Sequence, residues 1–432
     1  MNDSIKKLIQ DAEAAHKPED SLPWEADKPF TQALYTYNPT TTKWEPTPSS
    51  PQPPSTLTPN MIKNLALYSW NIDFMLPHAN SRMLSALSEL ETQLSKLPPT
   101  TAAVIFLQEC TPSDLDIIGE ADWVRSAFAR TDVDSSSWAS EMYGTTTLVD
   151  RRLGGEVFRV HFGLTRMERD ALFVDVLFPS SSSSPDTKEG GEKEKGNEKE
   201  KGNEKEKGNE KEKGNEKEKG NEKEKGNEKE KGNEKEKGNE KEKGNEKEKG
   251  NEKEKGTEKE KGNEKEKGNE KEKGKQKRII RFCNTHLESL AREPAYRPPQ
   301  AALAAKFMHD EKVHGALLAG DLNAIQPFDR TLHSENNLHD AYLSLGGAED
   351  SEEGYTWGQQ AAPELRRLYG CSRMDKVWYC GGVTVSKFGR FGADVEVVDE
   401  REKEKIKRWG GFEKAWVTDH LGVCAIVDVV VD

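Results

Sequence analysis

Five short polar segments in this chain carry residues that could do chemistry together. They are Trp70 to Asp73 (WNID), Leu107 to Glu109 (LQE), Thr285 to Ser289 (THLES), Gly320 to Asn323 (GDLN) and Thr418 to Gly422 (TDHLG). Each borders an apolar run that reads as a buried strand, so one sheet edge would gather Asn71, Asp73, Glu109, His286, Asp321, Asn323, Asp419 and His420 into a single cleft. Carboxylates, amides and two imidazoles in one place suit metal-assisted hydrolysis of a phosphodiester. Attacking water, nonbridging oxygen and leaving oxygen each need a different partner.

Glu109, behind the apolar run VIFLQ, is the expected principal ligand of Mg²⁺ or Mn²⁺, a hard cation that takes oxygen donors. Asp73 and Asp419 would complete its shell directly or through water, and the Asn71 amide can serve both metal and phosphate. Asp321 and Asn323 lie two apart and share a face if the chain stays extended, which suits holding a water. Asp321 would take the proton and Asn323 would steady the water or a phosphoryl oxygen. His420 can hold a proton near neutrality, and Asp375 in RMDKV is expected to orient its ring. His286 would donate to a nonbridging oxygen. The other seven histidines carry no second signal and read as surface or core residues.

Positioning these groups requires a core, and composition leaves room for one. The chain has 432 residues and a formal charge of -13. A hexad, EKEKGN, repeats from about residue 192 to 275 and is itself neutral, so the negative charge lies outside it. Without the repeat the apolar fraction rises to about 41%, near the ordinary globular range. Net acidity argues against coating nucleic acid nonspecifically, which depends on Lys and Arg displacing counterions. The five cysteines show no CxxC spacing and read as reduced thiols of an intracellular protein. No signal peptide and no apolar stretch of membrane-spanning length is evident, so no membrane partner is expected.

Residues 1–60 read as a disordered Pro-rich segment containing one short amphipathic helix around Ile5, Leu8 and Ile9. Order is expected from residue 61, as a single catalytic domain over 61–432 interrupted by a disordered repeat loop at about 186–277. LALYSWNI, AAVIFLQEC, ALFVDVLF, RIIRFCNTHL, GALLAGDLN, RMDKVWYC and GVCAIVDVVV read as strands. Residues 79–97 and RPPQAALAAKFMHDEKV read as helices, Pro98 and Pro99 ending the first. ALFVDVLF and RIIRFCNTHL would pair as antiparallel neighbours if the repeat were deleted. Closing a loop that long costs roughly 4 kcal/mol, which a stable core tolerates. The order of elements predicts an α/β fold of two sheets packed face to face with helices outside.

The five motifs, in this order, resemble the endonuclease/exonuclease/phosphatase superfamily over residues 64 to 432 without the repeat. That resemblance implies a four-layered α/β sandwich of two mainly antiparallel sheets flanked by helices, and hydrolysis of phosphate esters with Mg²⁺ or Mn²⁺. By motif it makes Asn71, His286, Asp321, Asn323, Asp375 and His420 catalytic and Glu109, Asp73 and Asp419 metal-proximal. WNID, THLES, YTW at Tyr355 to Trp357, RMDKV and TDHLG are most similar to the 5′-tyrosyl-DNA phosphodiesterase branch, which implies DNA with a 5′-linked tyrosine as substrate. Trp357 then resembles an aromatic that packs against DNA and Tyr143 a substrate-side tyrosine, with core packing the alternative for each. The stretch AIQPFDR after GDLN lacks the Arg close behind that motif, and Arg330 stands as its substitute. An abasic-site endonuclease, a deadenylase-like exonuclease and an inactive binding scaffold remain open. The repair role implies access to the nucleus, the cytoplasm or both, and a monomer is expected.

Overall fold

The computed structural model describes residues 3–47, 62–178 and 278–430. The repeat and the rest of the expected 186–277 loop lie outside these residues. Among the described residues, strands β1 to β15 follow one another in chain order. The first eight are β1 (Pro29–Gln32), β2 (Tyr35–Asn38), β3 (Lys43–Pro46), β4 (Asn64–Asn71), β5 (Thr101–Cys110), β6 (Phe128–Arg130), β7 (Gly144–Asp150) and β8 (Glu156–His161). There follow β9 (Asp170–Phe178), β10 (Arg278–Thr285), β11 (Val313–Asp321), β12 (His339–Asp340), β13 (Asp375–Gly381), β14 (Val383–Phe391) and β15 (Gly422–Val429). The main helices near the site are α1 (Asp3–Ala14), α2 (Ala79–Leu94), α3 (Pro112–Glu120), α4 (Asp122–Ala127) and α5 (Arg297–Met308).

One sheet has seven strands in the order β1-β8-β9-β10-β11-β13-β12, the other eight in the order β14-β15-β4-β5-β7-β6-β2-β3. Each sheet has one parallel pair near its middle, β10 with β11 and β4 with β5, and every other neighbour is antiparallel. Leu65, Leu67, Phe106, Val174, Phe282, Leu317 and Val423 fill the space between the sheets. Met83, Leu87 and Leu90 of α2 cover the outer face of the eight-stranded sheet, while Ala301, Ala304 and Met308 of α5 cover that of the seven-stranded sheet. These four layers are the expected sandwich. Central strands such as β5 are buried along their whole length, which explains why they read as continuous apolar runs rather than alternating ones.

β9 and β10 pair antiparallel with Phe178 opposite Arg278, so the connection that carries the repeat leaves and re-enters the sheet at directly facing positions. The expectation for residues 1–60 needs correction. Residues 29–46 form three strands, β1 beside β8 in one sheet and β2 with β3 at the edge of the other. Their order comes from partners far along the chain and from side chains such as Gln32, which hydrogen-bonds the Thr131 carbonyl. Helix α1 lies where the amphipathic segment was expected, and Glu13 pairs with Arg292 of the loop behind THLES. No helix among the described residues is long and apolar enough to cross a membrane.

Candidate active site

Two walls, one from each sheet, form the site. The eight-stranded sheet supplies Asn71 at the end of β4 with Asp73 just beyond it, Glu109 near the end of β5, and Asp419 and His420 immediately before β15. The seven-stranded sheet supplies His286 after β10, Asp321 at the end of β11 with Asn323 beyond it, and Asp375 opening β13. Asp321 and Asp375 are register partners.

Local backbone turns these side chains inward. Asp73, Glu109 and Asn323 all have left-handed φ, at 57°, 56° and 47°. Asp and Asn tolerate that region, but for Glu it is uncommon and costs on the order of 1 kcal/mol or more. The register shift between β5 and β7, from Leu107 to Cys110, accommodates Glu109. The Phe74 amide donates to the Glu109 carboxylate at 3.1 Å. Gly320 has φ 151°, and a Cβ there would meet the Thr285 carbonyl oxygen at 1.7 Å, so the strand before Asp321 requires glycine.

Asp321 is the meeting point of the two walls. Its Oδ2 accepts from the Asn71 amide at 3.0 Å and lies 3.3 Å from His286 Nε2 and 3.6 Å from His420 Nε2. Burial alone would raise its proton affinity, but His420 and His286 override it and hold the carboxyl well below the usual range. His420 Nδ1 lies 2.8 Å from Asp375 Oδ2. Burial pulls the His420 ring down, yet Asp375, Asp321 and Asp419 raise it well above the ordinary value. Burial also pushes Asp375 up. We place the proton of that pair on His420, because two further carboxylates face the ring. His420 is therefore an imidazolium at neutral pH.

Ligand atoms of Asp321, Asp375 and His420 fall within 4.8 Å of one another, close enough to suggest a cation cage. A protonated imidazole has no lone pair to give, and Asp375 is already its partner, so this trio is a hydrogen-bonded relay. The groups crowded by like charge are Asp73, Glu109 and Asp419, all from the eight-stranded sheet. Burial, and then the charges of Asp419 and Glu109, push Asp73 well above the usual carboxylate range. Asp419 is likewise raised by burial despite His420 and a 2.7 Å hydrogen bond from Trp357 Nε1.

His286 is oriented by a residue the sequence did not single out. Arg169 Nη1 lies 2.7 Å from His286 Nδ1, and a guanidinium only donates, so Nδ1 carries the lone pair and Nε2 the hydrogen. Asn323, whose amide donates to the Leu287 carbonyl at 3.0 Å, lies 2.9 Å from that same Nε2. The oxygen facing this Nε2 is Asp321 Oδ2, 3.3 Å away. Arg82 was also missed. Fully buried, it binds the carbonyls of Ile72, Asp73, Leu76, Pro77 and Val417, tying the WNID loop to the TDHLG loop. Behind the site, Gln108 donates to Asn284 and Ser69, joining the two sheets through a buried polar link. An arginine just ahead of the ALFVDV strand was the available signal for Arg169, and nothing in the local pattern marked Arg82.

The catalytic and metal-proximal residues expected from sequence converge; the substrate-side ones do not behave as expected. Tyr143 is buried, donates its hydroxyl to the Met167 carbonyl at 2.8 Å and stacks on Phe74. Trp357 is buried with Ala361 and Met374 and spends its indole N–H on Asp419. Both therefore act as packing and orienting side chains rather than as exposed stacking platforms. Arg330 forks onto Asp350 at 2.7 and 2.8 Å on the surface.

The fold is similar to several solved structures at low identity. A D. rerio TDP2 complexed with single strand DNA product is 14% identical, covers 85% of this chain and 99% of its own, and has a TM-score of 0.47. C. elegans TDP2 is 15% identical, with 86% and 77% covered and a TM-score of 0.47. A Bacteroides thetaiotaomicron mannosyl-6-phosphatase is 11% identical, with 84% and 99% covered and a TM-score of 0.42. A comparison with curated protein sequences finds no match. The sequence profile of the Endonuclease/Exonuclease/phosphatase family matches residues 68–420, from β4 to the His420 motif, and the chain belongs to that family of phosphoester hydrolases.

Proposed function

We propose that this protein is a divalent-metal-dependent phosphodiesterase acting on nucleic acid, with 5′-phosphotyrosyl DNA as its substrate. The observation that carries the reading is the convergence on Asp321 of His420 from the eight-stranded sheet and His286 from the seven-stranded one, beside a crowded carboxylate cluster. The motif set WNID, THLES, YTW, RMDKV and TDHLG supports the tyrosyl-DNA substrate within the family. Repair of such ends requires access to DNA, in the nucleus or in both nucleus and cytoplasm.

Glu109, Asp73 and Asp419 fit a hard cation: all three carboxylates are buried, the other two raise the proton affinity of Asp73, and Arg82's guanidinium is consumed by carbonyls. These residues would hold Mg²⁺ or Mn²⁺, which supplies charge neutralisation for the phosphate and its leaving oxygen. The remaining roles belong to the chain. His420 donates from Nε2 to a nonbridging oxygen, fixed by Asp375. The Asn323 amide and His286 Nε2 offer a second pair of donors. Asp321 accepts a hydrogen bond from the attacking water. Before substrate binds, its two histidine neighbours make it a weak base. When their N–H groups turn to phosphoryl oxygens, Asp321 loses that support, its proton affinity rises, and it takes the proton as the water oxygen bonds to phosphorus and the bond from phosphorus to the leaving oxygen breaks, the leaving group departing as its oxyanion.

A direct test compares a 5′-tyrosine-linked oligonucleotide with an abasic duplex and poly(A), each with Mg²⁺, with Mn²⁺ and with chelator. Metal-dependent release of tyrosine with the highest kcat/KM is the expected result. Faster cleavage of either other substrate would replace the leaving group, and no hydrolysis of any would leave a binding scaffold.

A further inference from the structure

The middle residue of the YTW segment, Thr356, is fully buried and bonds to the chain around both members of the Asp375–His420 pair. Its carbonyl accepts from the Leu421 amide at 2.7 Å, immediately after His420, and the adjoining Trp357 forms an antiparallel bridge with His420 itself. Its hydroxyl accepts from the amides of Met374 at 3.1 Å and Asp375 at 2.9 Å, and its own amide donates to the Ser372 carbonyl at 2.9 Å. Asp375 opens β13 of the seven-stranded sheet, and His420 immediately precedes β15 of the eight-stranded one. One threonine therefore holds backbone from both sheets at the point where the two side chains meet at 2.8 Å.

The hydrogen bonds around Thr356 leave two groups over. A threonine hydroxyl has two lone pairs and one hydrogen. The Met374 and Asp375 amides take the lone pairs, so the hydrogen must point elsewhere. Asp375 spends Oδ2 on His420 Nδ1, while its Oδ1 is buried and accepts no hydrogen bond. Leaving a buried carboxylate oxygen without a donor is unfavourable. Among the described residues, a hydrogen with no acceptor and an oxygen with no donor thus stand on groups already joined through the Asp375 amide. Burial pushes Asp375 up, and of the groups that pull it back the Thr356 hydroxyl follows His420.

We propose that Thr356 is a positioning residue for His420, its hydroxyl donating to Asp375 Oδ1 while its carbonyl fixes the backbone behind the ring. Thr356 touches no reacting atom. It acts through Asp375, fixing one carboxylate oxygen so that the other stays on His420 Nδ1 and leaves Nε2 facing Asp321. The effect on turnover rests on the phosphodiesterase reading, whereas the hydrogen bond itself does not.

The test joins a double-mutant cycle, read by cleavage of a 5′-tyrosine-linked oligonucleotide, to a crystal structure of the wild-type protein. Thr356→Ser keeps the hydroxyl and should hold kcat and KM within about twofold of wild type. Thr356→Val keeps the shape but removes the hydrogen, and should lower kcat about tenfold with KM changed about twofold or less. Valine also takes the acceptor from two backbone amides, and the Asp375→Asn background separates the two effects. There the side-chain amide must turn its oxygen to His420 Nδ1 and its NH₂ toward position 356, so adding Thr356→Val should lower kcat a further twofold or less, about. A tenfold loss that persists in that background, a Thr356→Val protein as active as wild type, or a Thr356→Ser protein as slow as Thr356→Val would overturn the positioning role. In the crystal, Thr356 Oγ1 should lie within about 3.0 Å of Asp375 Oδ1, and a separation beyond about 3.5 Å would overturn the proposal even where a variant does not fold. Wild-type protein that cleaves none of the tyrosyl, abasic and poly(A) substrates would sink the phosphodiesterase reading and the effect on turnover, with the crystal distance still deciding the hydrogen bond.

Discussion

The two walls of the cleft solve the problem of buried charge in opposite ways. On the seven-stranded sheet Asp321 and Asp375 face imidazoles, and each carboxylate has a partner at hydrogen-bonding or ion-pair distance. On the eight-stranded sheet Asp73 and Asp419 crowd against Glu109, and burial together with neighbouring negative charge raises the proton affinity of those two aspartates. One pair of carboxylates is matched by imidazoles, while the other is crowded by like charge. Under the proposed phosphodiesterase reading the first set supplies donors for a phosphoryl oxygen and the second an acidic socket for a cation.

Substitutions should therefore have opposite signs on the two walls. Asp375→Asn removes the charge buried against His420 and is expected to destabilise the fold by about 3–5 kcal/mol and to lower turnover at least about 100-fold, measurable by denaturant unfolding and kcat. Trp357→Phe removes the hydrogen bond to Asp419 but keeps the ring, and should cost roughly tenfold in activity with little change in stability. Asp73→Asn should stabilise the metal-free protein at neutral pH. Because the folded Asp73 carboxyl lies above its ordinary 3.8, wild type gains stability as pH falls from its raised value toward 3.8, and the variant should lose that gain. Equal signs for Asp375→Asn and Asp73→Asn would erase the distinction between the walls.

The smallest effect lies outside the cleft. His161 stacks on Trp24 with centroids 3.9 Å apart and an interplanar angle of 7°, and burial lowers it to about 4. The unfolded ring takes a proton near 6.5, so its contribution is full above that pH and is lost progressively as pH falls to about 4. His161→Phe should flatten the pH–stability curve over that window.

How much of this could be read from residues alone follows the same physical line. Asn71, Glu109, Asp321 and His420 were legible because each adjoins an apolar run, and strands buried on both faces must present their polar residues at their ends. The β9–β10 pair was legible across the repeat because both strands are apolar and long. The strands of residues 29–46 were not. They are four residues each, only partly buried, and ordered by distant partners that leave no local periodicity. For Trp357 and Tyr143 the sequence left DNA contact and core packing both open, since an aromatic in a loop carries no sign of whether its ring faces solvent or a neighbouring carboxylate. Arg169 and Arg82 act through side chains and carbonyls brought close only by folding.

The most direct test of the two-wall account follows thermal unfolding and tyrosyl-oligonucleotide cleavage together while Mg²⁺ is titrated into wild type and Glu109→Gln. Wild type should rise in unfolding temperature with Mg²⁺ over the same concentrations that restore cleavage after chelation, and Glu109→Gln should show neither response at those concentrations. Cleavage that persists in chelator, or a Glu109→Gln protein that responds to Mg²⁺ as wild type does, would contradict it.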